Sequence, residues 1–113
     1  MKKYMVIYLA PEELMAQTGN ASPEEMEEGM KQWMAWAARC GDQLLDLGNP
    51  LTGGHKVLAD GSSQKSTHGV GGYSILQAEN MDDVKSLLTG HPHLAWNEAC
   101  EIEIHEFRPL PGQ

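Results

Sequence analysis

Residues Tyr4-Met5-Val6-Ile7-Tyr8-Leu9 are aliphatic or aromatic at every position. β-branched and aromatic side chains favour extended backbone, so residues 3–9 are predicted to form a strand. Alternation puts Tyr4, Val6 and Tyr8 on one face and Met5, Ile7 and Leu9 on the other. A strand of this kind is covered on both sides, since a solvated face would carry polar residues at every second position. A fold that accepts it has to supply a layer for each face.

One layer is helical. Ser22-Pro23-Glu24-Glu25 combines a capping serine, a proline suited to the first helical position and a glutamate that completes a capping box. Met26, Met30, Trp33, Met34, Ala37, Cys40, Leu44 and Leu45 follow at three- and four-residue spacing, which predicts an amphipathic helix stopped by Gly48. Gly29 and Gly41 within it each lower helicity by about 1 kcal/mol relative to alanine. Ahead of it, Pro11 to Met15 suit a short helical turn and Gly19-Asn20 a turn. A second strand is predicted over residues 51–59, a turn at Asp60-Gly61, a polar loop over 62–71 and a third strand over 72–78. Asn80 caps a second helix, with Asp82 and Asp83 in its first turn; it ends near Gly90, and Pro92 prevents its continuation. Residues 99–107 alternate strictly, with Cys100, Ile102 and Ile104 on one face and Glu101, Glu103 and His105 on the other.

The order β-α-β-β-α-β is the ferredoxin-like α+β arrangement, with two helices on one face of a four-stranded antiparallel sheet. The strands carry more apolar surface than one covered face needs. A second copy is therefore expected over the other face, giving a homodimer with the two sheets face to face. The 113 residues make a single domain over 1–113. Eight Lys plus Arg against 16 Asp plus Glu give a net charge of -8, which argues against nucleic acid and against an anionic membrane surface as partners. No apolar run approaches the roughly 20 residues that span a bilayer. The run after Met1-Lys2-Lys3 is short for a signal peptide, so a cytoplasmic protein with Cys40 and Cys100 as buried, reduced thiols is expected.

These segments resemble the YCII-related family, small proteins of the dimeric α+β barrel superfamily. The resemblance runs through Met5-Val6-Ile7-Tyr8, the helix from Met30 to Gly41 with its Trp33-Met34-Ala35-Trp36 core, and Gly48-Asn49-Pro50-Leu51. It continues through Asp60-Gly61, Gly71-Gly72-Tyr73-Ser74-Ile75, His91-Pro92-His93-Leu94 and the strand from Glu101 to Phe107. It implies the same fold, and superfamily relatives often bind small molecules between helices and sheet. Two departures matter. Relatives are often named for an Asp-Gly-Pro-Phe motif, whereas Ser62-Ser63 follow Asp60-Gly61 here. Some relatives carry a His–Asp pair with the histidine just after the first strand, where this chain has Ala10-Pro11-Glu12, and no histidine precedes His55.

Five histidines in an acidic chain set the candidate chemistry. Pro92 holds His91 extended, so His91 and His93 could project to one side and begin a metal site, bind an anion or transfer protons. The plainer reading has His91 at the carbonyl end of the second helix and His93 packed in the loop. An isolated His-x-His lacks the spacing of a zinc signature, so no metal is expected. His55 and His68 flank the Asp60-Gly61 turn and would meet Asp60 if a hairpin brought them together; the polar run around them equally suits a solvated tip. Glu101, Glu103 and His105 would line an inward cavity in a dimer or form a solvated rim without one. Trp33, Trp36 and Trp96 read first as core, with one of them contributing to a pocket that Tyr8 also shapes. The site expected is therefore His91 and His93 as catalytic residues, lined by Tyr8, Trp33, His55, Asp60, His68, Trp96 and His105, with no cofactor. The function expected is a small-molecule pocket in a homodimer, either a cofactor-independent enzyme using histidine acid–base chemistry or a non-catalytic binding or dimerisation module.

Overall fold

A computed structural model describes residues 1–17 and 20–112. The turn expected at Gly19-Asn20 falls partly outside the described residues.

 Strand β1 (Lys2–Leu9) is followed by α1 (Glu12–Gln17) and α2 (Pro23–Cys40), then by a 3-10 turn over Gly41–Gln43 and strand β2 (Leu44–Asp46). Next come β3 (His55–Val57), β4 (Ser63–Lys65), β5 (Val70–Ala78), α3 (Met81–Leu88), α4 (Pro92–Trp96) and β6 (Glu101–Glu106). Four strands make one sheet in the order β2-β5-β1-β6, with every pairing antiparallel. That is the ferredoxin-like order, and β1 lies inside it, as its two apolar faces require.

The expected second strand is displaced. The sheet takes Leu44–Asp46, which the apolar spacing had placed in the long helix, because α2 ends at Gly41 rather than at Gly48. Gly41 adopts φ +60, a left-handed conformation that glycine reaches without steric cost. Gly48 serves a different end. A Cβ there would lie 1.7 Å from the Tyr73 carbonyl oxygen, so only glycine lets the chain leave β2 this close to β5. Of the expected strand over 51–59, residues His55–Val57 pair with Ser63–Lys65 in a separate two-stranded hairpin whose strand residues are all exposed. Pro92 ends α3 as expected but also opens the five-residue α4, its fixed φ and missing N–H suiting the first helical turn.

The capping box is present at both ends: Glu25 N–H donates to Ser22 Oγ at 3.1 Å, and Ser22 N–H donates to Glu25 Oε1 at 3.3 Å. The helix it starts buries Trp36 and Cys40 against the sheet, whereas Met26, Met30 and Met34 stay exposed on its outer side. The core is the helix-covered face of the sheet, where Tyr4, Val6 and Tyr8 of β1 meet Leu76 and Ala78 of β5 and Val84 and Leu88 of α3. The opposite face presents Met5, Ile7 and Leu9 beside Tyr73 and Ile75, all half-buried, with exposed Glu101, Glu103 and His105 along β6. Among the described residues no helix is long and apolar enough to cross a membrane. Cys40 and Cys100 are free and buried.

Candidate functional site

Three elements converge above the C-terminal half of β1. From α2, Trp33 and Trp36 point at the sheet, one helical turn apart. The Trp36 indole N–H donates to the Leu87 carbonyl at 2.9 Å, and the Arg39 guanidinium donates to the carbonyls of Leu87 and Thr89 at 3.1 and 2.8 Å. These bonds satisfy carbonyls at the end of α3 that the helix itself leaves open, and they fix α3 against α2. The chain then turns through Gly90, at φ +73, and delivers His91 to the space beneath Trp36.

His91 is the N-cap of α4, and its imidazole has no solvent exposure. Its ring centroid lies 4.4 Å from Trp36, 4.6 Å from Trp33 and 5.0 Å from Tyr8. The His93 backbone N–H donates to His91 Nδ1 at 2.9 Å. An Nδ1 that accepts carries no proton, so the neutral ring bears its hydrogen on Nε2. That Nε2 has no hydrogen-bond partner among the described residues. Burial, reinforced by His93 and then Arg39, pushes the His91 pKa down to about 3, and the ring is neutral at physiological pH.

His93 is also buried, and its Nε2–H donates to the Leu9 carbonyl at 2.8 Å. Its ring lies 5.3 Å from Tyr8 and 6.1 Å from the exposed Trp96. Tyr8 closes the cluster from the sheet. Ser74 Oγ donates its one proton to the Leu47 carbonyl at 2.6 Å, so the Tyr8 hydroxyl donates to Ser74 Oγ at 2.7 Å. Burial raises the Tyr8 pKa and keeps the phenol protonated. Beside the cluster, a groove of about 420 Å³ is lined by Gln32, Trp36, Arg39, Gly90 and Pro92. Trp36 belongs to both, with its indole against His91 and lining the groove.

The structure thus brings His91, His93, Tyr8, Trp33 and Trp96 into one neighbourhood, and leaves His55, Asp60, His68 and His105 outside it. His55 pairs in register with Lys65, not His68, and its Nδ1–H donates to the Gly53 carbonyl at 3.0 Å. Asp60 is held within its own turn by the Ser62 hydroxyl and backbone N–H, which keep its carboxyl below the usual range. His68 is exposed. His105 lies on the other face of the sheet, 2.9 Å from Glu103 and open to solvent. Ser74 and the Leu9 carbonyl were not foreseen. The only trace of Ser74 is a small hydroxyl residue between Tyr73 and Ile75 of β5, and its partner Tyr8 is 66 residues away. Among the described residues, no group of three or more His, Cys, Asp or Glu side chains is arranged to hold a metal ion.

An antiparallel sheet in this order with helices packed on one face defines a ferredoxin-like α+β protein. The model of the YCII-related domain matches residues 1–108, and the chain belongs to that family. It is similar in structure to 5-chloro-2-hydroxyhydroquinone dehydrochlorinase (TftG) from Burkholderia phenoliruptrix AC1100, solved in complex with 2,5-dihydroxybenzoquinone. The TM-score is 0.55 at 15% identity, over 94% of this chain and 93% of that chain, a likeness of fold. No curated protein sequence matches the chain.

Proposed function

We propose that the protein binds a small, flat organic molecule at the His91 cluster and works as a homodimer. The observation that carries this reading is the His91 imidazole, buried among three aromatic rings with a nitrogen that no group among the described residues satisfies. Leaving a buried donor unmatched costs about 1–3 kcal/mol, which a ligand atom would recover. Its aromatic walls suit a flat ring, and the quinone bound by the structurally similar dehydrochlorinase supports the same ligand shape. The apolar centre of the uncovered sheet face supports a second copy as its cover. Two buried free thiols suit a reducing compartment such as the cytoplasm.

Binding without turnover is favoured over histidine acid–base catalysis by two facts: His91 is neutral with its basic nitrogen occupied, and His93 Nε2 is committed to Leu9. The proximity of both imidazoles to the Tyr8 ring favours the catalytic reading. Calorimetric titration with 2,5-dihydroxybenzoquinone tests the site. The expected result is saturable binding that His91→Phe weakens at least about tenfold, with the circular dichroism of the fold retained. Equal binding by wild type and variant would overturn the assignment, and consumption of the quinone would favour catalysis. Light scattering tests the assembly, where a monomer at micromolar concentration would remove the dimer.

A further inference from the structure

The pairing of His91 with a backbone amide decides more than its position. An imidazole in water exchanges its proton between two nitrogens and takes up a second one readily. Here neither freedom remains. The His93 N–H occupies Nδ1 at 2.9 Å, so the proton of the neutral ring must sit on Nε2. The charged and titratable groups that meet or act on the ring are Tyr8 on β1, Arg39 on α2 and His93 on α4. None is a carboxylate, so nothing there would stabilise an imidazolium. The Tyr8 hydroxyl is itself occupied, donating to Ser74. His91 Nε2–H is thus an uncharged donor in a buried aromatic setting, where a hydrogen bond is strong and a bare ionic charge is costly.

We propose that His91 recognises its ligand as a neutral hydrogen-bond donor, so that the site selects an uncharged carbonyl oxygen on a flat conjugated ring over a carboxylate or an ammonium of the same shape. This rests on the reading of the ring cluster as the ligand site. A carbonyl oxygen accepts the Nε2–H and brings no charge into the cluster. A carboxylate would also accept the bond, but it would enter without a cationic imidazole to offset its desolvation, and the Arg39 guanidinium is held on the Leu87 and Thr89 carbonyls. An ammonium would set donor against donor. The groove lined by Trp36, Arg39 and Pro92 adjoins the cluster through Trp36, whose ring lies 4.4 Å from the His91 imidazole.

The test uses three probes of nearly one size and shape: acetophenone, benzoate and benzylamine, the last two charged near neutral pH. Each is titrated into the wild-type protein at about pH 7 while the Trp33 and Trp36 indole signals and the His91 side-chain signals are followed by NMR. The expected result is that acetophenone binds at least about tenfold tighter than either ion and moves the His91 Nε2–H resonance. His91→Phe, which keeps a flat ring without the donor, should weaken acetophenone by about the same factor and bring the three probes closer together. Benzoate binding tightest would show a cationic imidazole, and benzylamine binding tightest would show an accepting nitrogen; either overturns the proposal and leaves the ligand site standing. Failure of all three to move the Trp33, Trp36 and His91 signals would overturn the site reading together with this one. The wild-type ranking carries the test even where the variant does not fold.

Discussion

His91 and His93 lie beneath aromatic rings between the helices and the sheet, whereas His55 and His68 lie in the hairpin region, with their side chains in water. Both pairs flank residues that force a bend, Pro92 in one case and Asp60-Gly61 in the other. What separates them is the material packed over them. The first pair sits where three elements meet, so its nitrogens find backbone partners and one of them is left over as a buried donor. Around the second pair, β3 and β4 make a two-stranded unit whose strand residues bury nothing, so water serves its polar groups as well as any protein partner would. A histidine acquires unusual chemistry from burial, which the fold provides in only one of these places.

The contrast is sharpened most strongly by acid. His91 titrates at about 3 in the folded protein against 6.5 for the ordinary group, so the unfolded chain binds the extra proton first. Its contribution is therefore complete above the ordinary value and is lost as pH falls toward the depressed one, by at most about 5 kcal/mol. Urea midpoints across that interval should fall more steeply for wild type than for His91→Phe; parallel curves would put both histidine pairs on the same footing. Trp36→Ala removes a ring that covers His91 and donates to Leu87, and should cost about 3–5 kcal/mol in chemical denaturation. Ser74→Ala leaves the Leu47 carbonyl and the Tyr8 hydroxyl without their partner and should cost about 1–3 kcal/mol by the same measurement. At the other pole, His55→Ala and His68→Ala should each change stability by less than about 0.5 kcal/mol and leave quinone binding intact. A larger effect there would mean that the hairpin is covered in the working assembly.

Local signals were legible in the sequence and long-range ones were not. The doubly apolar β1, the Ser22 capping box and the alternation of β6 each depend on residues within a turn or two, and each appears where its pattern places it. The end of α2 was misread because Leu44 and Leu45 continue its apolar spacing past Gly41, and only the positive φ there shows that the chain has left the helix. Val57 and Leu58 gave residues 51–59 the appearance of a sheet strand, yet both are exposed in the structure. The aromatic part of the site could be read from helical spacing and from the face that Tyr8 occupies on β1. The occupation of His91 Nδ1 by its neighbour's amide could not, because it depends on Pro92 opening a helix rather than merely ending one.

The most direct measurement is long-range nitrogen–proton NMR of the imidazoles in the free protein, with His91 assigned by comparison with His91→Phe. The expected result is an Nε2–H tautomer for His91, with an unprotonated Nδ1, that persists unchanged from about pH 8 to about pH 5. A His91 ring that takes up a second proton within that range, or carries its single proton on Nδ1, would contradict it.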